Sequence, residues 1–299
     1  MKNIKFLLII LLAGVVFSAC KTLKAVNDVS TAASTDLQQF DQFNTSLTGI
    51  YVDDLRQRTY GGFSETTIAL RTDTPATTNL FPMSLAEAKQ KDTLLRKIYT
   101  ALHGYFAALA KLSADSLVNY TVDTVTTYLS GGSIIDTSKV SAGTISAIGS
   151  IATKLGEFVS NGYRLHHIKQ YVVESDPFVQ RLTSDMKESL RAMRIFLMTE
   201  QRFLKDSVYK SLVKTSTSAF ERKEVTDQYY RVTADLTNRA QRLTNYIASL
   251  DIIAAGHAYI SAHVDELRSD KVRTDLTHYA SLLKDRHSEF NALTQRTTN

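Results

Sequence analysis

The chain is poor in the residues that punctuate or staple a fold: one cysteine, three prolines, twelve glycines and no tryptophan in 299 residues. A single cysteine excludes an internal disulfide, and a zinc site built from four thiolates or from two thiolates and two imidazoles. So few prolines and glycines argue against a many-stranded β fold, which needs turn residues every ten or so positions. Neither sign of charge dominates, with 35 Lys and Arg against 30 Asp and Glu. What the chain does have is apolar content: 43% hydrophobic against 22% charged residues. That balance suits a packed core and is too apolar for a disordered chain. A mainly helical protein of one or two domains is what remains.

The first residues form a separate unit. Met1-Lys-Asn-Ile-Lys5 is basic, Phe6–Phe17 is a run of apolar or small residues, and Ser18-Ala19-Cys20 follows. A basic start, a short apolar core and small residues before a cut site are the parts of a secretory signal. Twelve residues cover ~18 Å as a helix, short of the ~30 Å hydrocarbon core, which argues against a permanent span. Phe17-Ser18-Ala19-Cys20 resembles the lipobox of bacterial lipoproteins, with phenylalanine where leucine is more usual. The resemblance covers only the first twenty residues. It implies cleavage between Ala19 and Cys20, diacylglycerol on the Cys20 sulfur and, usually, an acylated new amino terminus. One acyl chain binds a membrane only marginally, whereas two or three hold it firmly. Lys21 is not the aspartate that the family associates with inner-membrane retention, and no acidic export cluster follows. The expected location is therefore the cell envelope, on the periplasmic face of the outer membrane. Removing residues 1–19 takes away Lys2 and Lys5 and no acid, leaving 33 basic and 30 acidic residues. That near-balance gives no case for nucleic acid as a partner.

Apolar periodicity organises the rest. Residues 20–35 read as the lipidated cysteine and a short tether with some helical character, and 36–299 as one helical domain. Leu37, Phe40, Phe43, Leu47, Ile50, Tyr51 and Leu55 share one stripe, predicting a helix over 35–60 that stops at Gly61-Gly62. Residues 61–83 read as a long loop. Ser84-Leu-Ala-Glu87 is a capping-box pattern opening a helix to about 112. The 114–138 stretch mixes strand and helix signals and is read as a short helix or turn. From Val140 a helix with many small residues runs on through Val172, until Ser175-Asp176-Pro177 breaks it and starts another to about 214. Thr215–Ser218 is a polar break before a long run that Ala255-Gly256 is expected to bend, and Ser269-Asp270 caps the last helix. About six such amphipathic helices cannot bury their stripes alone, so the fold class is all-α, an elongated antiparallel bundle.

Chemistry is sparse. Adjacent His166 and His167 point about 100° apart on a helix, and His257 and His263 lie six residues apart rather than four. Asp275-Leu-Thr-His278 is a single, short-acid approximation to the paired Glu-x-x-His of di-iron bundles. No metal or other cofactor is therefore expected. Ser184–Lys187 and Ser211–Lys214 match Ser-x-x-Lys but lack the companion motifs of penicillin-recognising enzymes, so no catalytic residue is assigned. The small-residue run 140–156 allows close helix approach, in water or in lipid. Asp136, Lys139, Lys154 and Glu157 leave too short an uncharged run to span a membrane. Arg56, Arg58 and Tyr60, and Tyr229-Tyr230-Arg231, bring together residue types favoured at binding hot spots.

Three function classes follow. The first is a non-enzymatic binding, adaptor or structural protein, held to the membrane by lipid on Cys20 and engaging another envelope protein. The second is a carrier or sensor of a small apolar or lipid ligand between helices. The third is a hydrolase or metal-dependent enzyme whose site is assembled from distant residues. The lack of a catalytic set favours the first.

Overall fold

The computed structural model describes residues 23–43, 45–60, 83–114, 141–158 and 164–295. Cys20 and the signal lie outside these residues, as do the expected loop over 61–83 (apart from Met83) and the ambiguous stretch 114–138 (apart from Ala114). Among the described residues there is no strand, and the chain is an all-α bundle. Its helices are α1 (23–37), α2 (Leu47–Tyr60), α3 (Leu85–Ser113), α4 (Ala142–Phe158), α5 (Arg164–Phe203), α6 (Lys210–Thr215), α7 (Ala219–Ala262) and α8 (Asp270–Gln295).

Hydrogen bonds and ion pairs between helices fix their directions. Lys169 meets Asp265 at 2.6 Å, Lys187 meets Asp251 at 2.6 Å and Gln201 reaches Thr237 at 2.9 Å. Numbers on α5 rise as those on α7 fall, so the two run antiparallel. Asn245 to Glu289 and Asn238 to the Leu293 carbonyl, both 2.9 Å, do the same for α7 and α8. Thr144 to Asp185 and Lys154 to Glu174 set α4 antiparallel to α5. These partly exposed pairs mark register and contribute little stability, of order 0–1 kcal/mol each. The stripes between them hold the bundle: Val26, Leu37, Ile98, Leu102, Leu109, Ile151, Leu182, Leu190, Leu243, Leu250, Leu276 and Leu283 are all fully buried. At 1.5 Å per residue, the 44 residues of α7 extend about 66 Å.

Four local expectations need correction. The stretch read as a tether is helical from residue 23 and buries Val26, Val29 and Ala33 in the core. Its Ala, Thr and Ser content hid a stripe of small apolar residues. The helix expected over 35–60 is two helices, because a 3-10 segment Gln38–Gln42 and an extended Phe43 interrupt it. The Asp92 carboxylate of α3 accepts from the Leu47 and Thr48 amides at 2.8 and 2.9 Å, capping α2 from outside its own segment. Pro177 does not break α5, which continues through it. Pro177 and Val173, four residues earlier, are both exposed, so water can satisfy the carbonyl that proline leaves free. Finally, the helix expected from Val140 through Val172 is two antiparallel helices, α4 and α5.

The capping box at Ser84 and Glu87 is present as expected, and a second one, Ser218 with Glu221, opens α7. An added Cβ at Gly256 would come no nearer than 3.5 Å to the Tyr279 ring, and one at Gly149 would meet nothing within 4 Å. Close approach therefore does not explain the glycine at position 149 of the small-residue helix. Gly256→Ala and Gly149→Ala are each expected to stabilise the protein by about 0.5–1 kcal/mol, through helix propensity and a less free unfolded chain. Thermal unfolding checks this, and a lower melting temperature for Gly256→Ala would show that the Tyr279 ring needs the gap.

Candidate functional site

Buried polar groups come first, because each must find a partner or destabilise the fold. His257 on α7 is fully buried. Its Nδ1 lies 2.8 Å from Asp176 Oδ1 on α5, and its Nε2 lies 2.7 Å from the Tyr105 hydroxyl on α3. The hydrogen bond to His257 holds the Asp176 carboxyl below its ordinary range, against the opposing effect of burial. An ionised carboxylate only accepts, so Nδ1–H donates to Asp176, and the Tyr105 hydroxyl sits within hydrogen-bond reach of Nε2. Phe106 packs edge-on against the imidazole at 5.8 Å. Burial drives the Tyr105 phenol above its ordinary range, which suits a donor and not a nucleophile. Gln180 closes the network, donating to Asp176 at 3.0 Å and to the Ala254 carbonyl at 2.9 Å. This Tyr–His–Asp line resembles an acid–base relay on paper, but none of its three members lines either of the grooves described below. It ties three helices together.

A second polar cluster joins α1 to α7 and α8. Asp36 is buried, and Gln39 donates to its Oδ1 at 2.8 Å and to His287 Nδ1 at 2.7 Å. Burial raises the Asp36 carboxyl from 3.8 to about 6, with the Ser249 hydroxyl and the Arg286 charge pulling the other way. The Tyr246 hydroxyl donates to the Leu37 carbonyl at 3.0 Å. Beside it Phe43 stands edge-on to Tyr246 at 5.2 Å and to Phe290 at 5.3 Å, and Phe40 stacks on Tyr99 at 4.8 Å.

Two of the surface grooves offer contrasting walls. The larger, about 700 Å³, runs between α3, α4 and α5 and is rimmed by Glu87, Lys91, Arg181, Asp185 and Glu188. Arg181 donates to Asp185 at 2.9 Å and to the Ser141 hydroxyl at 2.9 Å, so its guanidinium is committed within the wall. The mixed charge of that wall fits poorly with an apolar ligand. The smaller groove, about 310 Å³, lies where the C-terminal end of α5 and α6 meets the first turns of α7. Between α5 and α6, Leu204–Tyr209 form a π-helical turn, a widening often found at functional sites. Lys205, Lys210 and Lys214 rim this groove, while Tyr209, Val213, Tyr229 and Tyr230 supply apolar surface. Tyr209 and Tyr229 meet edge-on at 5.3 Å, and Tyr230 is 66% exposed. Phe220, in the first turn of α7, is 76% exposed.

The sequence-selected residues are scattered among these features. Tyr229 and Tyr230 belong to the lysine-rimmed groove, whereas Arg231 turns to Glu224 at 3.2 Å. Arg56 pairs with Asp53 at 3.4 Å, and the side chains of Arg58 and Tyr60 lie outside the described residues. Those of His166 and His167 do too. His263 stacks on Tyr259 at 4.2 Å, Asp275 accepts from the Tyr259 hydroxyl, and His278 is exposed. Among the described residues no three His, Cys, Asp or Glu side chains are placed to hold a metal, and no helix is long and apolar enough to cross a membrane. Ser184, Ser211 and Lys214 are exposed, and Lys187 pairs with Asp251. Sequence reasoning missed the Tyr105–His257–Asp176 line. Its only trace was a lone histidine within the apolar stripe of α7.

The fold therefore defines an all-α bundle with a basic, aromatic groove near one end. Compared with known proteins, the chain matches no family model, no curated protein and no solved structure.

Proposed function

We propose that this is a lipid-anchored protein of the bacterial cell envelope, acylated on Cys20 and facing the periplasm from the outer membrane. In this reading it binds or positions another envelope protein and performs no catalysis itself. The observation that carries the reading is the polarity of the bundle. Asn27 of α1 donates to the Ala110 carbonyl near the end of α3, and Tyr105 of α3 sits beside His257 of α7. Residue 23 thus enters at the end where α7 finishes, whereas Phe220 and the lysine-rimmed groove stand at the opposite end. The 37 residues between Phe220 and His257 separate these two levels by about 55 Å. An anchor on Cys20, three residues before α1, would leave that groove directed away from its own membrane.

Metabolic labelling with a fatty-acid analogue, followed by fractionation, tests the anchor. Label on the wild-type chain in the membrane fraction is expected, with both label and membrane association lost in Cys20→Ala. Label that persists in Cys20→Ala overturns the assignment.

A further inference from the structure

The groove between α6 and α7 differs from the rest of the surface in charge, composition and shape. Its three rim lysines make no ion pair among the described residues, whereas Lys223, on the same end of α7 but outside the groove, pairs with Asp227. Cations converging on one space raise the local positive potential and attract an anionic partner. The remainder of the wall is one valine, one threonine and three tyrosines, the residue type most suited to rigid, amphipathic contact. Tyr209 is itself nearly buried, and its hydroxyl has no hydrogen-bond partner among the described residues.

We propose that this groove docks an acidic protein segment carrying an aromatic or aliphatic side chain. Carboxylates would meet Lys205, Lys210 and Lys214, and the apolar side chain would lie against Tyr229, Tyr230 and Val213. Two other occupants fit less well. A second copy of the chain would bring like-charged lysines together across a twofold axis. A flat anionic bilayer has no side chain to fill a concavity of about 310 Å³. The proposal deepens the adaptor reading by naming the partner's chemistry, and it rests on that reading only for where the partner resides.

The test uses the complete chain with Cys20→Ser, so that no acyl group contributes, and a fluorescein-labelled peptide of alternating Asp and Glu bearing one Phe and one Leu. Fluorescence anisotropy is expected to show saturable binding that weakens as salt rises from about 50 to 300 mM. Lys210→Glu with Lys214→Glu should weaken it at least about tenfold, and Tyr230→Ala about threefold or more. Lys223→Glu, outside the groove, should leave affinity within about twofold. All four positions are exposed, and an unchanged circular dichroism melt confirms that each variant is folded. Absence of saturable binding, or equal loss with Lys223→Glu, overturns the proposal. Co-sedimentation with phosphatidylglycerol vesicles that the peptide does not displace would assign the surface to a membrane instead. None of these results bears on Cys20 acylation, so failure here and failure of the anchor are distinguishable.

Discussion

His257→Ala is expected to cost about 3–5 kcal/mol of unfolding free energy, measured by urea titration at pH 7. The substitution removes a fully buried ring packed between Tyr105 and Phe106 and leaves a cavity at the meeting of three helices. It also removes the His257 Nε2 contact from the Tyr105 hydroxyl and takes from Asp176 the hydrogen bond that chiefly favours its ionised form. Tyr105→Phe should cost less, about 1–2 kcal/mol, because it deletes one hydroxyl and keeps the ring packing. The Asp176 contribution carries a pH signature. Its folded carboxyl lies below the ordinary value, so the stability it adds is present above about pH 4 and is lost as pH falls through the folded value. A His257→Ala protein as stable as wild type would mean that the line is incidental to the packing.

Asp36→Asn should have the opposite sign. The folded carboxyl titrates near 6 against 3.8 in the free chain, so the folded protein holds a proton that the unfolded chain has released. Stability therefore falls as pH rises from about 4 to 6, and a penalty of about 3 kcal/mol stands at pH 8. Asparagine removes the charge and keeps an oxygen that can accept from Gln39. The variant is expected to be about 2–3 kcal/mol more stable than wild type at pH 8, shrinking to about 0.5 kcal/mol at pH 4. Parallel urea titrations at the two pH values check this. Equal or lower stability of Asp36→Asn at pH 8 would refute the burial account.

These two carboxylates show where reading the sequence stops. Both lie near helical stripes, and nothing in their local sequence separates the one held ionised from the one pushed toward protonation. Asp176 has a histidine 81 residues away, whereas Asp36 is enclosed by Gln39, Ser249 and His287 from separate elements. Asp176 also misled as part of a stop signal. Proline at position 177 reads locally as a break, but the buried stripe from Ile168 through Val179 to Leu197 stabilises α5 by more than one missing hydrogen bond costs. The 3-10 interruption after residue 37 was equally hidden. Its stripe is continuous in sequence, and the Asp92 cap that restarts the helix comes from 44 residues beyond Thr48.

Half of the lysine-rimmed groove was visible as Tyr229 and Tyr230. The half on α5 and α6 was not, because Lys205, Lys210 and Lys214 look like any solvated face until a π-helical turn brings them opposite the tyrosines.

The sequence by itself determined an all-α bundle, the capping box at Ser84, the polar break before α7 and most of the core. Each of these depends on side chains within a few residues, through the 3.6-residue repeat or a local cap. Only the tertiary structure decided that α1 belongs to the core, that Pro177 is tolerated and that Tyr105, His257 and Asp176 share one line. It alone decided that three lysines and three tyrosines face one space. Those outcomes depend on which helices become neighbours and in what direction, and that is set by the packing of whole faces rather than by any local signal.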